Sequence, residues 1–269
     1  MHLKRWITGL IALPLLLFII YRGGILLFLL IAAASMIALW EYFRIVFKGE
    51  NTQITSVLPL TAMATGLGLI WAAYSGQPDL IIAIIALNLV VAGLIAIARF
   101  GRDTAVLEAL KNQIQGVVYI PLFLSCLILV RNGEGGMQWI FIILGIVFAG
   151  DTCALYAGTF WGRRKLAPAV SPGKTVEGSI GGLTGAVLIG SAIKAVFLPE
   201  LAWATAIIFC LIVGIAAQIG DLFESALKRA SGVKDSGTLL PGHGGILDPV
   251  AYTHLTLPTR RTPGGARGG

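Results

Sequence analysis

Residues 138–158 read QWIFIILGIVFAGDTCALYAG, and the only charged side chain among those twenty-one positions is Asp151. An α-helix rises about 1.5 Å per residue, so a run of this length crosses a hydrocarbon layer of about 30 Å. The stretch reads as a membrane span, with Asp151 about 13 residues and roughly 20 Å from its start. A carboxylate at that depth costs about 2.5 to 3.5 kcal/mol on insertion scales. It is expected to face a hydrated cavity or a cationic partner, which makes Asp151 a candidate functional residue; a structural partner for an arginine explains it nearly as well.

Working outward, similar apolar runs fall at 6–21, 24–40, 57–75, 80–98, 114–130, 178–198 and 201–220, which makes eight spans in all. The fold class expected is an all-α polytopic membrane protein. Composition agrees, because 57% hydrophobic and 12% charged residues leave too little polar surface to clothe a water-soluble globule. With the N-terminus placed inside, fourteen of the twenty Lys and Arg residues fall in inside loops: Lys4, Arg5, Arg44, Lys48, Arg99, Arg102, Lys111, Arg163, Arg164, Lys165, Lys174, Lys228, Arg229 and Lys234. Arg22, Arg131 and Lys194 fall outside, and Arg260, Arg261 and Arg267 lie in the tail. This is the bias of cytoplasmic loops, and one missed span would invert it. The first span reads as a retained anchor rather than a cleaved signal peptide. The net charge of +7 does not point to nucleic acid, since the cations cluster at span ends and form no stripe with interleaved aromatics. Cys126, Cys153 and Cys210 lie in apolar runs without metal-ligand spacing, and they read as small buried hydrophobes with no disulfide framework.

The two most polar stretches, 159–177 and 221–248, both fall on the inside face. The first reads GRRKLAPAVSPGKTVEG over 162–178, with four cations within twelve residues beside glycines and hydroxyls. Cationic side chains and approachable backbone amides suit a polyanion. Topology alone accounts for Arg163, Arg164 and Lys165, and accounts less well for Lys174. A P-loop is rejected because its pattern needs glycine at 168, where Pro168 stands, and a preceding strand. The glycines of the seventh span, Gly178, Gly181, Gly182, Gly185 and Gly190, are expected to serve close helix packing.

At the end of the eighth span the chain reads GDLFESALKR over 220–229. Helical spacing places Asp221, Glu224 or Ser225, and Lys228 on one face at the membrane boundary; an ordinary solvated helix end is equally compatible with this segment alone. The chain continues through Lys234-Asp235-Ser236-Gly237 to Leu240-Pro241-Gly242-His243-Gly244-Gly245-Ile246-Leu247-Asp248. Together, the segments from Ser225 to Asp248 closely resemble the signature of the CDP-diacylglycerol synthases, or phosphatidate cytidylyltransferases. Ser171 to Gly178 is similar to a second segment of that family. The resemblance covers residues 1 to 248 in layout and is specific mainly between 150 and 248.

The resemblance implies cytidylyl transfer from CTP to phosphatidic acid, with release of pyrophosphate, at the cytoplasmic face of the cell membrane. It implies Mg²⁺ held by Asp221 and Asp248, with a second metal ion left open, and a catalytic role for Lys228. Lys174, Arg229, Arg164 and Lys165 would hold phosphates, Ser171, Thr175 and Ser225 would add hydrogen bonds, and the turn His243-Gly244-Gly245 would approach phosphate closely. Glu177, Glu224, Lys234 and Asp235 stand with Asp151 as secondary candidates. His243 is as often structural as catalytic in such a setting, and no strong general base is required. The partners implied are CTP, phosphatidic acid and the bilayer, with no nucleic acid; a homodimer is left open. Two other readings are kept: a dolichol kinase-like lipid phosphotransferase, separable by nucleotide and lipid competition, and a transporter, disfavoured because no inverted repeat or pair of broken helices is visible.

The match is expected to break after Asp248, where Pro249-Val250-Ala251 stands in place of the family's basic residue and second aspartate. Residues 252–269 contain no run able to span a bilayer, so the family's closing helix is expected to be missing. The division expected is 1–130 as N-terminal transmembrane helices, 131–248 as the catalytic transmembrane region, and 249–269 as a foreign tail. Without that tail the charge is about +4.

Overall fold

A computed structural model describes residues 14–47 and 54–230. Residues 14–22 are helical. They are followed by α1 (Gly24–Val46), α2 (Ile54–Tyr74), α3 (Pro78–Phe100), α4 (Val106–Val117), a π-helical turn (Val118–Leu122), α5 (Phe123–Asn132) and α6 (Gly136–Trp161). A hairpin of β1 (Lys165–Ala167) and β2 (Ser171–Thr175) precedes α7 (Val176–Phe197) and α8 (Trp203–Ala230). Among the described residues seven segments are long and apolar enough to cross a membrane, with α4, the π turn and α5 forming one of them. The chain is a multi-pass helical membrane protein, as its apolar runs lead one to expect. The first expected span, 6–21, lies partly outside the described residues.

Local chemistry sets the helix boundaries. Pro78 opens α3, where its missing N–H is no loss, and Asp79 and Arg99 lie in its first and last turns, complementing the helix dipole. Gly23 at φ 62° makes the tight turn into α1, a conformation L side chains resist. The π turn contains Pro121, which cannot donate to the preceding turn and therefore locally widens the helix.

Outward-facing side chains are as apolar as inward ones: Leu87 is 62% and Ile97 75% exposed, as lipid-facing residues should be. Cys126 belongs to this outer face, and only Cys210 is buried, with Cys153 half-buried. The expectation that all three cysteines are buried is corrected for that reason: in a membrane, an apolar residue gains its apolar surroundings from lipid as readily as from protein.

The alternation of spans is visible in contacts at the two ends. The Arg131 guanidinium donates to the carbonyls of Ile20 and Tyr21 at 2.7 and 2.8 Å, and Asn132 donates to the carbonyl of Ala73 at 3.5 Å. Trp139 packs edge-on against Phe209, and Phe141 lies against Phe197. The end of α5, the start of α6, the end of α7 and the start of α8 therefore share one end of the bundle. At this end Lys194 is buried, donating to the Pro199 carbonyl at 3.1 Å and lying over the Trp203 ring at 4.2 Å. The hairpin lies at the other end.

Candidate active site

The exit from α6 is folded back by one carboxylate. Glu177, in the first turn of α7, accepts backbone N–H bonds from Arg163 at 3.0 Å and from Arg164 at 3.2 Å. Val176 N–H donates to the Arg164 carbonyl at 2.9 Å, and Thr175 caps α7 by accepting from Gly178 N–H at 3.1 Å. Two of these bonds, from Val176 and Gly178, satisfy amides that the start of α7 leaves orphaned, and those to Glu177 tie down the chain just past α6. They force the chain between into the hairpin, in which Lys165 faces Thr175 and Ala167 faces Ser171. A loop was expected here; the short antiparallel pair is a feature the proline-rich sequence concealed.

This hairpin carries Lys174 to Asp221, and the two form an ion pair with side chains 27% and 18% exposed. Partial exposure at a bundle end leaves the pair reachable by a charged ligand. The same face of α8 makes contacts on either side. One turn earlier, Gln218 meets Ser179: the Ser179 hydroxyl donates to the Gln218 Oε1, and the Gln218 Nε2 donates to the Ser179 carbonyl at 3.0 Å. Two turns later, Arg229 Nε donates to the Val170 carbonyl at 3.4 Å. Residues 179, 174 and 170 thus meet 218, 221 and 229 in antiparallel order.

A fourth contact reaches α8 from the π turn. The Tyr119 hydroxyl donates to the Gly220 carbonyl at 3.2 Å, and its ring packs edge-on against Phe223 at 5.1 Å between centroids. Lys228 is paired with Glu224 at 3.0 Å along the same helix, with Glu224 wholly buried and Lys228 13% exposed. Ser225 is half-buried one turn beyond Asp221, and Asp151 is half-buried within α6. Arg163, Arg164 and Lys165 are exposed, as is Arg229. Ser171 begins β2, and Thr175 serves as the α7 cap. Lys234, Asp235, His243, Gly244, Gly245 and Asp248 lie outside the described residues.

Small residues make this approach possible. A Cβ on Gly182 would meet the Gly150 carbonyl oxygen at 2.8 Å, the Ala154 Cβ at 3.0 Å and the Gln218 Nε2 at 3.1 Å. One on Gly185 would meet the Cys153 Sγ at 2.4 Å. The glycines of α7 do the close packing expected of them.

Residues 3–258 match the cytidylyltransferase family, a range that covers the hairpin, α7 and α8 together with most of the remaining chain. The chain belongs to the cytidylyltransferase family. It is 31% identical over 256 residues to the phosphatidate cytidylyltransferase of Bacillus subtilis, covering 91% of each chain. It is 32% identical over 264 residues to the enzyme of that name from Staphylococcus epidermidis and 32% over 265 residues to that from Staphylococcus aureus, covering 94% of this chain and 95% of the relative in both cases. As a cytidylyltransferase-family member it is a nucleotidyltransferase, and the kinase-like and transporter readings are not favoured. The family match runs past Asp248 to residue 258, and so enters the stretch expected to be foreign.

Sequence reasoning missed Gln218, Ser179 and Tyr119 in this cytidylyltransferase. Gln218 carried a signal, as the one amide in the apolar run 201–220. Tyr119 and Ser179 carried none, since a tyrosine or serine in a span is unremarkable without its partner.

Among the described residues no cluster of three or more His, Cys, Asp or Glu side chains forms a self-sufficient metal cage. Mg²⁺ does not require one, because it usually takes one or two carboxylates with substrate phosphates and water completing its shell. The partly exposed carboxylate of Asp221, a hard oxygen donor beside a lysine, fits that mode of binding.

Proposed function

We propose that the chain transfers the cytidylyl group of CTP to phosphatidate, forming CDP-diacylglycerol and pyrophosphate. A phosphatidate phosphate oxygen attacks the α-phosphorus of CTP; the new P–O bond forms as the bond from the α-phosphorus to the oxygen bridging to the β-phosphorus breaks. The electron pair and negative charge leave with pyrophosphate. The observation that carries this reading is the Lys174–Asp221 pair, partly exposed at the polar end of a membrane-spanning bundle. A lipid phosphate held at the leaflet boundary and a nucleotide arriving from water meet at that depth. The names of the relatives support the same substrates.

Asp221, together with Asp248, would hold Mg²⁺, which when bound supplies charge neutralisation for two anionic reactants and the departing pyrophosphate. Lys174, Lys228 and Arg229 would hold phosphate oxygens, with Arg163, Arg164 and Lys165 raising the positive potential of the entrance. Their forked and point-charge donors suit phosphate. The attacking phosphate is already anionic near neutral pH, so positioning and charge stabilisation carry the rate rather than a strong base. The bias of Lys and Arg toward one set of loops supports an orientation with the N-terminus and the site on the cytoplasmic side.

The test is turnover of labelled CTP with phosphatidate in detergent, with and without Mg²⁺. The unmodified chain is expected to form CDP-diacylglycerol only with the metal, and Asp221→Asn to lower the rate by about 10²-fold or more. Retention of most activity by a folded Asp221→Asn protein would refute its role.

A further inference from the structure

The contacts along α8 assign a task to a residue with no chemistry of its own. Gln218 lies one helical turn before Asp221 and grips the first turn of α7 at two atoms of one residue, the Ser179 hydroxyl and the Ser179 carbonyl. It lies where Gly182 has no side chain: a Cβ there would come within 3.1 Å of the Gln218 Nε2. The next rung along the same face is Lys174 with Asp221, and the one after is Arg229 with the Val170 carbonyl.

A glutamine crossing between membrane helices has a simpler use as packing glue, where such bonds contribute modestly to stability. Its placement argues for more. The Lys174 and Asp221 side chains stand on separate segments, and their separation is set by how the β2–α7 junction sits against α8. Arg229 reaches only the hairpin turn before β2, through a single long bond from an exposed guanidinium at the end of α8. Gln218 fixes the junction through two bonds from a half-buried amide.

We infer that Gln218 is a positioning residue: its clasp on Ser179 sets the register of α8 against the β2–α7 junction and thereby the spacing of Lys174 and Asp221. This rests on the proposed function for its consequence in turnover, but the geometric claim stands apart from it. Removing both bonds should loosen the pair. Ser179→Ala should do less, because the carbonyl that accepts from Gln218 Nε2 survives the substitution.

The experiment compares the full chain with Gln218→Leu, Gln218→Glu, Ser179→Ala and, as a control for a released lysine, Asp221→Asn. The first readout is the rate at which Lys174 is acylated by a water-soluble amine reagent, followed by peptide mass spectrometry. The second is kcat and the Mg²⁺ concentration for half-maximal turnover. Gln218→Leu is expected to raise Lys174 reactivity severalfold toward the Asp221→Asn level. It should also lower kcat about tenfold, less than the roughly 10²-fold that a full 1 Å misplacement at a reacting centre can cost, and raise the Mg²⁺ requirement. Gln218→Glu, which keeps the acceptor and loses the donor, should fall between, as should Ser179→Ala. Should Gln218→Leu prove too unstable to purify, the two milder variants carry the test. Wild-type Lys174 reactivity and metal requirement in the Gln218 variants, with only the melting temperature lowered, would overturn the inference and leave a packing bond. An unmodified chain that fails to use CTP and phosphatidate would instead overturn the proposed function, with the lysine readout still deciding the role of Gln218.

Discussion

Between α1 and α5 the helices meet through large apolar side chains, with Leu39, Tyr42, Leu58, Leu69 and Ile70 completely buried. Between α6 and α8 the buried cluster is small, formed by Ile142, Ile146, Ala186 and Cys210, and many of the closest approaches are made at glycine, alanine and cysteine. The first region is held by volume, the second by backbone proximity and by a few polar bonds spanning the helices. The second region carries the candidate site. A core of interlocking large side chains tolerates local repacking, whereas two backbones in contact cannot yield without moving everything attached to them. Charged groups that must face one another at a fixed distance are better mounted on the latter.

The comparison breaks most visibly at Lys228. Its partner Glu224 is wholly buried, so Lys228→Met removes a cation from beside a buried carboxylate and should cost about 3 to 5 kcal/mol, measured by thermal or denaturant unfolding in detergent. Adding Glu224→Gln should restore most of that stability. Turnover should stay low in the double variant, because the phosphate contact assigned to Lys228 is still missing. Recovery of both together would mean that Lys228 only balances a buried charge.

A paired substitution sharpens the contrast. Leu69→Ala, in the large-residue region, should cost about 2 to 5 kcal/mol of stability while kcat per folded molecule is retained. Gly182→Ala should cost about 1 to 3 kcal/mol by overpacking, and should also lower kcat, since the added methyl meets both the Gly150 carbonyl and Gln218. Equal kcat in the two variants would dissolve the distinction between the regions.

The smallest effect is expected where the regions touch. Tyr119→Phe keeps the ring against Phe223 and loses only the bond to the Gly220 carbonyl, so it should cost about 0.5 to 1.5 kcal/mol and lower turnover slightly. A loss of activity as large as that of Asp221→Asn would place Tyr119 in the chemistry itself.

Apolar runs and the alternation of charge made the membrane spans legible in number and place, though not in their ends, where α1 runs on to Val46 and α8 to Ala230, because burial in lipid depends on local composition over one helix length. Asp221 and Lys174 were each recognisable as unusual for the same local reason, and family resemblance placed both in the site. The hairpin was not legible: Pro168 and Pro172 flank its turn and start its second strand, and it exists because Glu177 and Arg164 draw its two ends together. The clasp of Gln218 on Ser179 and the reach of Tyr119 to Gly220 were equally hidden.

By itself the sequence determined that this protein crosses the membrane repeatedly, where it does so, and that its polar chemistry collects at one end of the bundle. Only the tertiary structure decided that Lys174 faces Asp221, whereas Glu224 and Lys228, four residues apart on one helix, were already brought together by their spacing. Hydropathy acts over a single helix and is written in its own residues. An ion pair between distant segments depends on how closely two backbones approach, and that distance is set by the notches at Gly150 and Gly182 and by the amide that crosses them.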